Sequence, residues 1–205
     1  MERDTSMTAA DVYRPGGKSL QESYEHHDTG EDHLITWLQK RGFTVAEWGI
    51  DERDDDGEDG LLYDDKMDVK VYDPSDNLVG LVDVKTKTSA KWMGQFNARH
   101  YDNYLEHAQE SAVRDSDTSQ SRPSVAERAV PTFIAMYQVN NGDVVDGFVT
   151  NVLNVVGYRS DEDDFIGQFP DGNNKFVIPH GYRREPEYMV YKFTDQQHNT
   201  NVIGD

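Results

Sequence analysis

The sequence predicts an α/β fold in which a mixed central sheet is flanked by helices and followed by a C-terminal β-hairpin extension. A helical apolar pattern at residues 34–38 precedes short β-type runs, and residues 130–139 form a nearly continuous apolar strand, as expected of a strand covered on both faces. We expect three segments, which are a flexible N-terminal arm (1–24), a core (25–156) and a β-rich extension (157–205) packed on the core.

The charge of the chain is its most unusual compositional feature. The 205 residues include 39 acidic and 20 basic side chains, which give a formal net charge of -19. Because the acids are spread through segments with helix and strand patterns, we interpret them as the coat of a folded protein and not as a disordered tail. Such a coat suits molar salt, in which charges are screened over roughly 3 Å. We therefore expect a halophilic source.

Two absences narrow the chemistry. The sequence contains no cysteine, which excludes disulfides, thiolate metal sites and cysteine nucleophiles. It has no apolar signal core at its start, and no run approaches the about 20 apolar residues of a membrane span. We expect a soluble, cytoplasmic protein in a high-salt cell, without a membrane partner.

The first predicted element is a helix over residues 29–42, with a capping-box-like start and an apolar stripe. Glu31 lies four residues before Ile35 and seven before Leu38, which places it on the buried face of this helix. A glutamate in the first turn is also favoured by the helix dipole, so this simpler interpretation of Glu31 stays open.

A strand at residues 43–48 is predicted next, from alternating apolar and polar side chains. Residues 51–66 then form an acidic loop. A calcium-binding loop fits this segment poorly, because aligning Gly57 with the required glycine puts Tyr63 where the bidentate glutamate belongs. We interpret residues 51–66 as a solvated loop.

The stretch at residues 63–88 holds two β-type runs joined by a turn, with Asp68 opening the first run and Asp83 closing the second. Lys85 follows Asp83 by two residues, so both side chains project from the same face of a strand. A carboxylate and an amine at the mouth of a buried strand are unfavourable without a partner charge or a metal. Simple pairing of Asp83 with Lys85 is the alternative to a metal site.

The segment after this hairpin is free of acids from residue 84 to residue 101, although it carries several bases and aromatic side chains. Bases interleaved with aromatic residues suit phosphate contact and base stacking. The alternative is that the gap is a chance fluctuation and that Phe96 belongs to the core. The candidate nucleic-acid-binding residues are Lys87, Lys91, Arg99 and His100.

The remaining segments complete the predicted sheet. A helix is predicted at residues 92–113, a flexible loop at 114–128 and a buried strand at 130–139. After a turn at residues 140–143, the chain is expected to continue the sheet or to begin a short helix at 144–156.

The C-terminal segment alternates turn clusters with strand-like runs at residues 175–178 and 187–193, which predict an edge hairpin. Residues 172–184 are also free of acids, so this segment is a second candidate for substrate contact. Its bases are Lys175, His180, Arg183 and Arg184.

The candidate catalytic residues are Glu31, Asp68, Asp83 and Lys85, which combine hard oxygen ligands with an amine. Carboxylates suit Mg²⁺ or Mn²⁺, which keep several waters and also coordinate phosphate oxygens. A divalent ion held in this way lowers the pKa of a bound water, and a neighbouring lysine can orient that water or stabilise charge in the transition state. The resulting hypothesis is metal-assisted phosphodiester hydrolysis.

These residues resemble the motif of the PD-(D/E)XK nuclease superfamily, the restriction-endonuclease-like nucleases. That motif is an Asp at the start of one strand, followed at the end of the next strand by an acid, any residue and a Lys. Asp68 is similar to the first position, and Asp83, Val84 and Lys85 are similar to the second. Met67 departs from the pattern, since the family often has Pro there.

A second likeness lies in the helix of Glu31, whose spacing to the Gly42–Phe43 pair is similar to the opening helix of archaeal Holliday-junction resolvases. Together the resemblances cover roughly residues 29–140. They imply a restriction-endonuclease-like nuclease core at residues 25–156, with a mixed sheet flanked by helices.

The resemblance also implies roles for individual residues. Asp68 and Asp83 would bind Mg²⁺ or Mn²⁺, and the backbone carbonyl of Val84 would contribute a ligand. Glu31 would bind the metal directly or through water, and Lys85 would act on the attacking water. DNA is the implied partner.

Three functional hypotheses remain open at this point. The first is a metal-dependent DNA endonuclease, as a Holliday-junction resolvase, a restriction- or repair-like nuclease, or an end-processing nuclease of a halophile's virus. A homodimer is implied only for a resolvase, since two strands must be cut symmetrically. The second is a catalytically inactive, nucleic-acid-binding relative. The third is an acidic interaction protein of a halophile.

Overall fold

The computed structural model describes residues 20–48, 67–113, 130–152, 167–168 and 174–200. Within these ranges the protein is mixed α/β, with a five-stranded mixed sheet flanked by helices and a separate three-stranded sheet. The predicted class, a mixed central sheet flanked by helices, is therefore confirmed. No helix in these ranges is both long and apolar enough to cross a membrane.

The elements follow in chain order in the described part of the protein. The helices are α1 (Leu20–Gln39), α2 (Arg99–Val113) and α3 (Glu187–Thr200), with one-turn 3-10 helices at Ala90–Trp92 and His180–Tyr182. The strands are β1 (Thr44–Glu47), β2 (Val69–Tyr72), β3 (Leu78–Lys87), β4 (Gln95–Asn97), β5 (Thr132–Asn140), β6 (Asp143–Asn151), β7 (Gly167–Gln168) and β8 (Asn174–Val177).

Helix α1 begins at Leu20, inside the predicted N-terminal arm and well before the predicted start at residue 29. The capping-box interpretation of residues 29–32 was wrong, because the hydroxyl of Thr29 donates to the carbonyl of Glu25 over 2.8 Å and so bonds back within the helix. Gly30 is buried and permits close approach to β3, since a Cβ there would lie 2.5 Å from Cγ2 of Thr86. The predicted arm from residue 1 to residue 19 lies outside the described residues.

The large sheet has the strand order β1-β2-β3-β5-β6. Neighbouring strands are antiparallel except β3 and β5, which run parallel over Leu81–Lys87 of β3. This parallel ladder extends β3 beyond the end predicted for it. Asp83 therefore does not close the strand, as the sequence indicated, but lies inside it opposite Ile134.

Two apolar clusters cover the two faces of this sheet. On one face α1 and α3 pack through Leu34 and Phe193 against Val82 and Val84 of β3. On the other face α2 and the small sheet pack against the alternate β3 position, Leu81. Because side chains alternate along a strand, Asp83 and Lys85 point with Leu81 towards α2.

Three predicted elements are confirmed with small shifts. Strand β1 lies within the predicted run at residues 43–48, and β5 matches the buried strand at 130–139. The turn after β5 has Asn141 and Gly142 at φ values of 51° and 81°. The segment after this turn forms the strand β6 as far as Asn151, which continues the sheet, and residues 153–156 of this prediction lie outside the described residues. The acidic loop at 51–66 and the loop at 114–128 lie outside the described residues.

Two predicted elements were wrong. The helix predicted at residues 92–113 begins only at Arg99, because Gly94, at a φ of 80°, breaks the chain direction and β4 intervenes. The strand predicted at residues 187–193 is the start of helix α3, so the predicted C-terminal hairpin does not form from this run. Met189 and Phe193, four residues apart, are both fully buried, which is the helical period and not the strand period.

Candidate active site

The β2–β3 hairpin sets the positions of the two aspartates. Its turn is held by Asp73, whose Oδ1 accepts hydrogen bonds from the backbone N–H groups of Ser75 (2.8 Å) and Asn77 (2.9 Å). The register pairs Val69 with Val82, so Asp68 and Asp83 occupy the next positions along the two chains. The turn therefore fixes which two carboxylates face each other across the hairpin.

Asp68 directly precedes β2 and is bound to the neighbouring strand through its side chain. One of its carboxylate oxygens accepts a hydrogen bond from the backbone N–H of Val84. This bond holds the carboxylate of Asp68 against β3, where His27 of α1 also approaches it. The side chain of Asp68 stays 16% exposed.

Asp83 is buried and is held by two donors from different elements. Nζ of Lys85 lies 2.9 Å from its Oδ1 and 2.7 Å from its Oδ2. The hydroxyl of Tyr104, on α2, donates to Oδ2 over 2.9 Å. The Lys85 side chain is 21% exposed, whereas the Asp83 side chain is 3% exposed.

Glu31 and His27 bring α1 to the same place. They lie one helical turn apart, and Nδ1 of His27 is 3.6 Å from Oε2 of Glu31. The other ring nitrogen, Nε2, is 3.6 Å from Oδ2 of Asp68. His27 therefore stands between the helix carboxylate and the hairpin carboxylate, and the predicted catalytic residues lie in one cluster.

This cluster carries more negative charge than its bases neutralise, and the titration of two acids reflects it. Burial raises the pKa of Glu31 to about 7, and the charge of Asp68 adds to this effect. Burial also raises the pKa of Asp83 to about 6, with Lys85 opposing the shift and Asp68 increasing it.

The pKa shifts of Asp68, His27 and Lys85 favour their charged forms. Burial opposes ionisation of Asp68, but His27 and Lys85 outweigh it and lower the pKa of Asp68. Burial opposes protonation of His27 and Lys85, yet the neighbouring acids raise the pKa of both. Burial, followed by the charge of Asp83, raises the pKa of the Tyr104 phenol well above its usual value, so Tyr104 is a neutral donor.

The donor chemistry of the cluster suits a hard divalent cation, because Glu31 and Asp83 each interact with the carboxylate of Asp68 and both resist ionisation. The present arrangement, however, does not assemble a ligand set. Among the residues that the structure describes, no group of three or more His, Asp or Glu side chains is placed to hold a metal ion. The carboxylate of Asp83 is engaged by Lys85 and Tyr104, and His27 lies between Glu31 and Asp68.

The candidate nucleic-acid contacts lie at the end of β3, in the 3-10 helix that follows it and at the start of α2. Lys87 is at the end of β3, and the exposed Lys91 is in the following 3-10 helix, with Nζ 5.2 Å from the ring centroid of Trp92. The ring of His100 stacks on Tyr104 at 6.1 Å. Arg99 begins α2, and its side chain lies outside the described part of the structure.

The arginines of the C-terminal acid-free segment have structural partners. Arg183 donates through Nη2 to the carbonyls of Ile178 (2.9 Å) and Met93 (3.4 Å). Its guanidinium also lies 4.8 Å from the ring centroid of Phe148. Arg184 donates to the carbonyl of Gly181 over 2.7 Å. Arg183 therefore ties this segment to the 84–101 window.

Sequence reasoning missed His27 and Tyr104. A helix that started at residue 29 left His27 outside it, although the spacing of His27 and Glu31 by four residues is the signal that could have paired them. Tyr104 falls on the same helical face as Tyr101 and Ala108, and a polar tip on a buried face indicates that the hydroxyl has a partner.

A scan against models of known protein families found no match to this chain, and a search of curated proteins found none.

Proposed function

We propose that this protein is a divalent-metal-dependent DNA endonuclease that hydrolyses phosphodiester bonds. The observation that supports the proposal most directly is the meeting of Glu31, Asp68, Asp83 and Lys85 from α1, the β2 entrance and β3. A simple ion pair between Asp83 and Lys85 does not require two further carboxylates at the same place, since each added acid raises the energy of the others.

Glu31, Asp68 and Asp83 are the residues that would hold Mg²⁺ or Mn²⁺, with the Val84 carbonyl as a further ligand. When bound, such an ion supplies Lewis-acid chemistry, since it polarises a phosphate oxygen and makes water more acidic. The raised pKa values of Glu31 and Asp83, which come from burial first and from the charge of Asp68 second, favour this assignment, because a bound cation stabilises the ionised form of both acids.

Lys85 acts as a cation in this proposal. The acids around it raise its pKa, so at neutral pH it is protonated and does not serve as a general base. Its ammonium group would orient the attacking water and stabilise the charge that develops on the phosphate. Tyr104 keeps the carboxylate of Asp83 in place beside it.

The second candidate function is that of a catalytically inactive, nucleic-acid-binding relative. It is favoured by the full engagement of Asp83 with Lys85 and Tyr104 and by the missing ligand set among the described residues. Such a protein would bind DNA and would not bind divalent ions at Asp68 and Asp83.

Cleavage assays separate these functions. The protein is incubated with a labelled four-way junction and a linear duplex of the same sequence, in about 1 M KCl to screen its charge, with Mg²⁺, Mn²⁺ or EDTA. We expect cleavage with either metal and none with EDTA. Asp83→Asn and Lys85→Ala should each lower the cleavage rate by about 100-fold or more.

The matched control is Asp76→Asn, which removes an exposed carboxylate from the turn of the same hairpin at a φ of 64° that asparagine also adopts. Two results together would favour the inactive relative. The parent protein would cleave neither DNA, and calorimetry would detect no Mn²⁺ binding that is lost in Asp83→Asn. Cleavage by Asp83→Asn at the parent's rate would show that the assigned centre is wrong.

A further inference from the structure

Two segments free of acidic residues, 84–101 and 172–184, meet in the small sheet. Strand β4 of the first segment pairs antiparallel with β8 of the second, with Phe96 opposite Phe176 and Asn97 opposite Lys175. The segments are far apart in the sequence, yet the fold joins them into one surface. We call the described residues of these two segments, 84–101 and 174–184, the acid-free surface.

The ring of Trp92 contacts two lysines of this surface. Nζ of Lys91 is 5.2 Å from the ring centroid of Trp92, and Nζ of Lys175, from the other segment, is 5.1 Å from it. Distances below about 6 Å are those of cation–π contacts. One indole ring therefore restrains two ammonium groups that come from different parts of the chain.

The acid-free surface is continuous with the candidate active site. The first segment of this surface begins inside β3, directly after Asp83, and ends in the first turn of α2, which begins at Arg99. His100 stacks on Tyr104, which donates to Asp83. Lys85 and Lys91 are therefore joined by a short stretch of chain, and Lys175 reaches the same stretch through Trp92.

We propose that the acid-free surface binds the phosphate backbone of the DNA substrate, that Lys175 is a contact residue and that Trp92 positions Lys91 and Lys175. This inference rests on the proposed function. In a chain with a net charge of -19, DNA is repelled by most of the surface, so the cationic part selects where the polyanion docks. Holding the two lysines on one ring reduces the side-chain entropy lost on binding.

The test measures binding without cleavage. Fluorescence anisotropy of a labelled duplex is followed with EDTA present, over about 0.1 to 1 M KCl, for the parent, Lys175→Gln, Lys91→Gln and Trp92→Leu. The matched control is Lys192→Gln, because it removes the same charge from a lysine that also contacts aromatic rings, Tyr188 and Tyr191, on α3.

We expect each of Lys175→Gln and Lys91→Gln to weaken binding by about three- to tenfold and to lower the slope of log K against log salt by about 0.9. Trp92→Leu, which removes no charge, should weaken binding with a smaller change of slope. Lys192→Gln should bind like the parent. Circular dichroism checks folding, and Lys175→Gln carries the test if Trp92→Leu does not fold.

The outcomes separate the inference from the proposed function. If Lys175→Gln binds DNA as Lys192→Gln does, the inference is overturned, whether or not the parent cleaves DNA. If binding depends on Lys175 but the parent never cleaves, the inference stands and the nuclease proposal fails. If the parent binds polyglutamate and not DNA, the surface is a site for acidic peptides and the inference is also overturned.

Discussion

The hydroxyl of Tyr104 donates a 2.9 Å hydrogen bond to Oδ2 of Asp83, the same oxygen that lies 2.7 Å from Nζ of Lys85. Tyr104 is on α2, whereas Asp83 and Lys85 are on β3, so the bond joins the helix to the central strand. A buried carboxylate needs such donors, because burial without them strongly disfavours its charged form. Tyr104 therefore supports the ion pair of Asp83 and Lys85.

Tyr104→Phe should destabilise the protein by about 1–3 kcal/mol, since it leaves a buried carboxylate with one donor fewer. The loss of this hydrogen bond should also raise the pKa of Asp83 further. Urea unfolding at neutral pH in high KCl measures the first effect. Tyr188→Phe is the control, because Tyr188 packs edge-on against Phe133 on the other side of the sheet. Equal stability of the two variants would contradict the assigned role of Tyr104.

The hairpin and its charges could be predicted from the sequence because strand geometry fixes them locally. Alternation alone places Asp83 and Lys85 on one face, and the turn at Asp73 brings Asp68 beside them. The partners from the helices could not be predicted in the same way. Tyr104 reaches Asp83 only because α2 packs on the sheet with this residue directly over Asp83. No local sequence pattern encodes where along the sheet a helix packs.

The errors at the start of α1 and in the strand predicted at residues 187–193 also arise from packing between distant parts of the chain. Thr29 and Gly30 look like the start of a helix when only neighbours are considered, yet Gly30 serves contact with Thr86 and Val84 of β3. Residues 187–193 alternate like a strand, but Met189 and Phe193 are buried together in the apolar core under the sheet. In both places tertiary packing outweighs the local signal.

The stability of the metal-free protein should fall as the pH rises towards neutrality. Folding raises the pKa of Glu31 from 4.5 to about 7, so the protonated form is favoured in the native state and stability is lost as the pH rises between these values. Asp83 acts with the same sign up to about 6. The raised pKa of His27 also acts this way, since its stabilisation is lost as the pH rises above 6.5.

Thermal unfolding of the metal-free protein from about pH 4.5 to 7.5 measures this fall. Because Glu31 is partly exposed, solvent screening reduces its share to about 1–2 kcal/mol. Glu31→Gln should flatten the profile, and Asp32→Asn, an exposed neighbour on α1, should follow the parent. A parent whose stability rises over this interval would show that the assumed charge crowding is wrong.

His27→Gln should strengthen Mn²⁺ binding by about tenfold at about pH 6, below the raised pKa of His27, because it removes a positive charge that lies 3.6 Å from both Glu31 and Asp68. Isothermal titration calorimetry in high KCl measures the affinity. His33→Gln, on the same helix and next to Tyr137, is the control. Weaker Mn²⁺ binding by His27→Gln would mean that the imidazole is itself a ligand.

Gly30→Ala tests whether the close approach of α1 to β3 positions Glu31. Helix propensity alone favours alanine by about 1 kcal/mol, so a neutral site would be stabilised. Here the added Cβ would lie 2.5 Å from Cγ2 of Thr86 and 3.2 Å from Cγ1 of Val84. Relief requires the Thr86 side chain or α1 to shift, and we expect a net destabilisation of about 1–3 kcal/mol. If α1 shifts, Glu31 moves away from Asp68, and Mn²⁺ binding should weaken.

Gly181→Ala is the matched control, since a Cβ at Gly181 would meet no atom within 4 Å. This variant should change stability by no more than about 0.5 kcal/mol and should leave Mn²⁺ binding as in the parent. Whether Gly30→Ala stabilises or destabilises the protein decides if this contact positions Glu31. If Gly30→Ala stabilises the protein and keeps the parent's Mn²⁺ affinity, the contact between α1 and β3 does not position Glu31, and the helix carboxylate has no part in the proposed metal site.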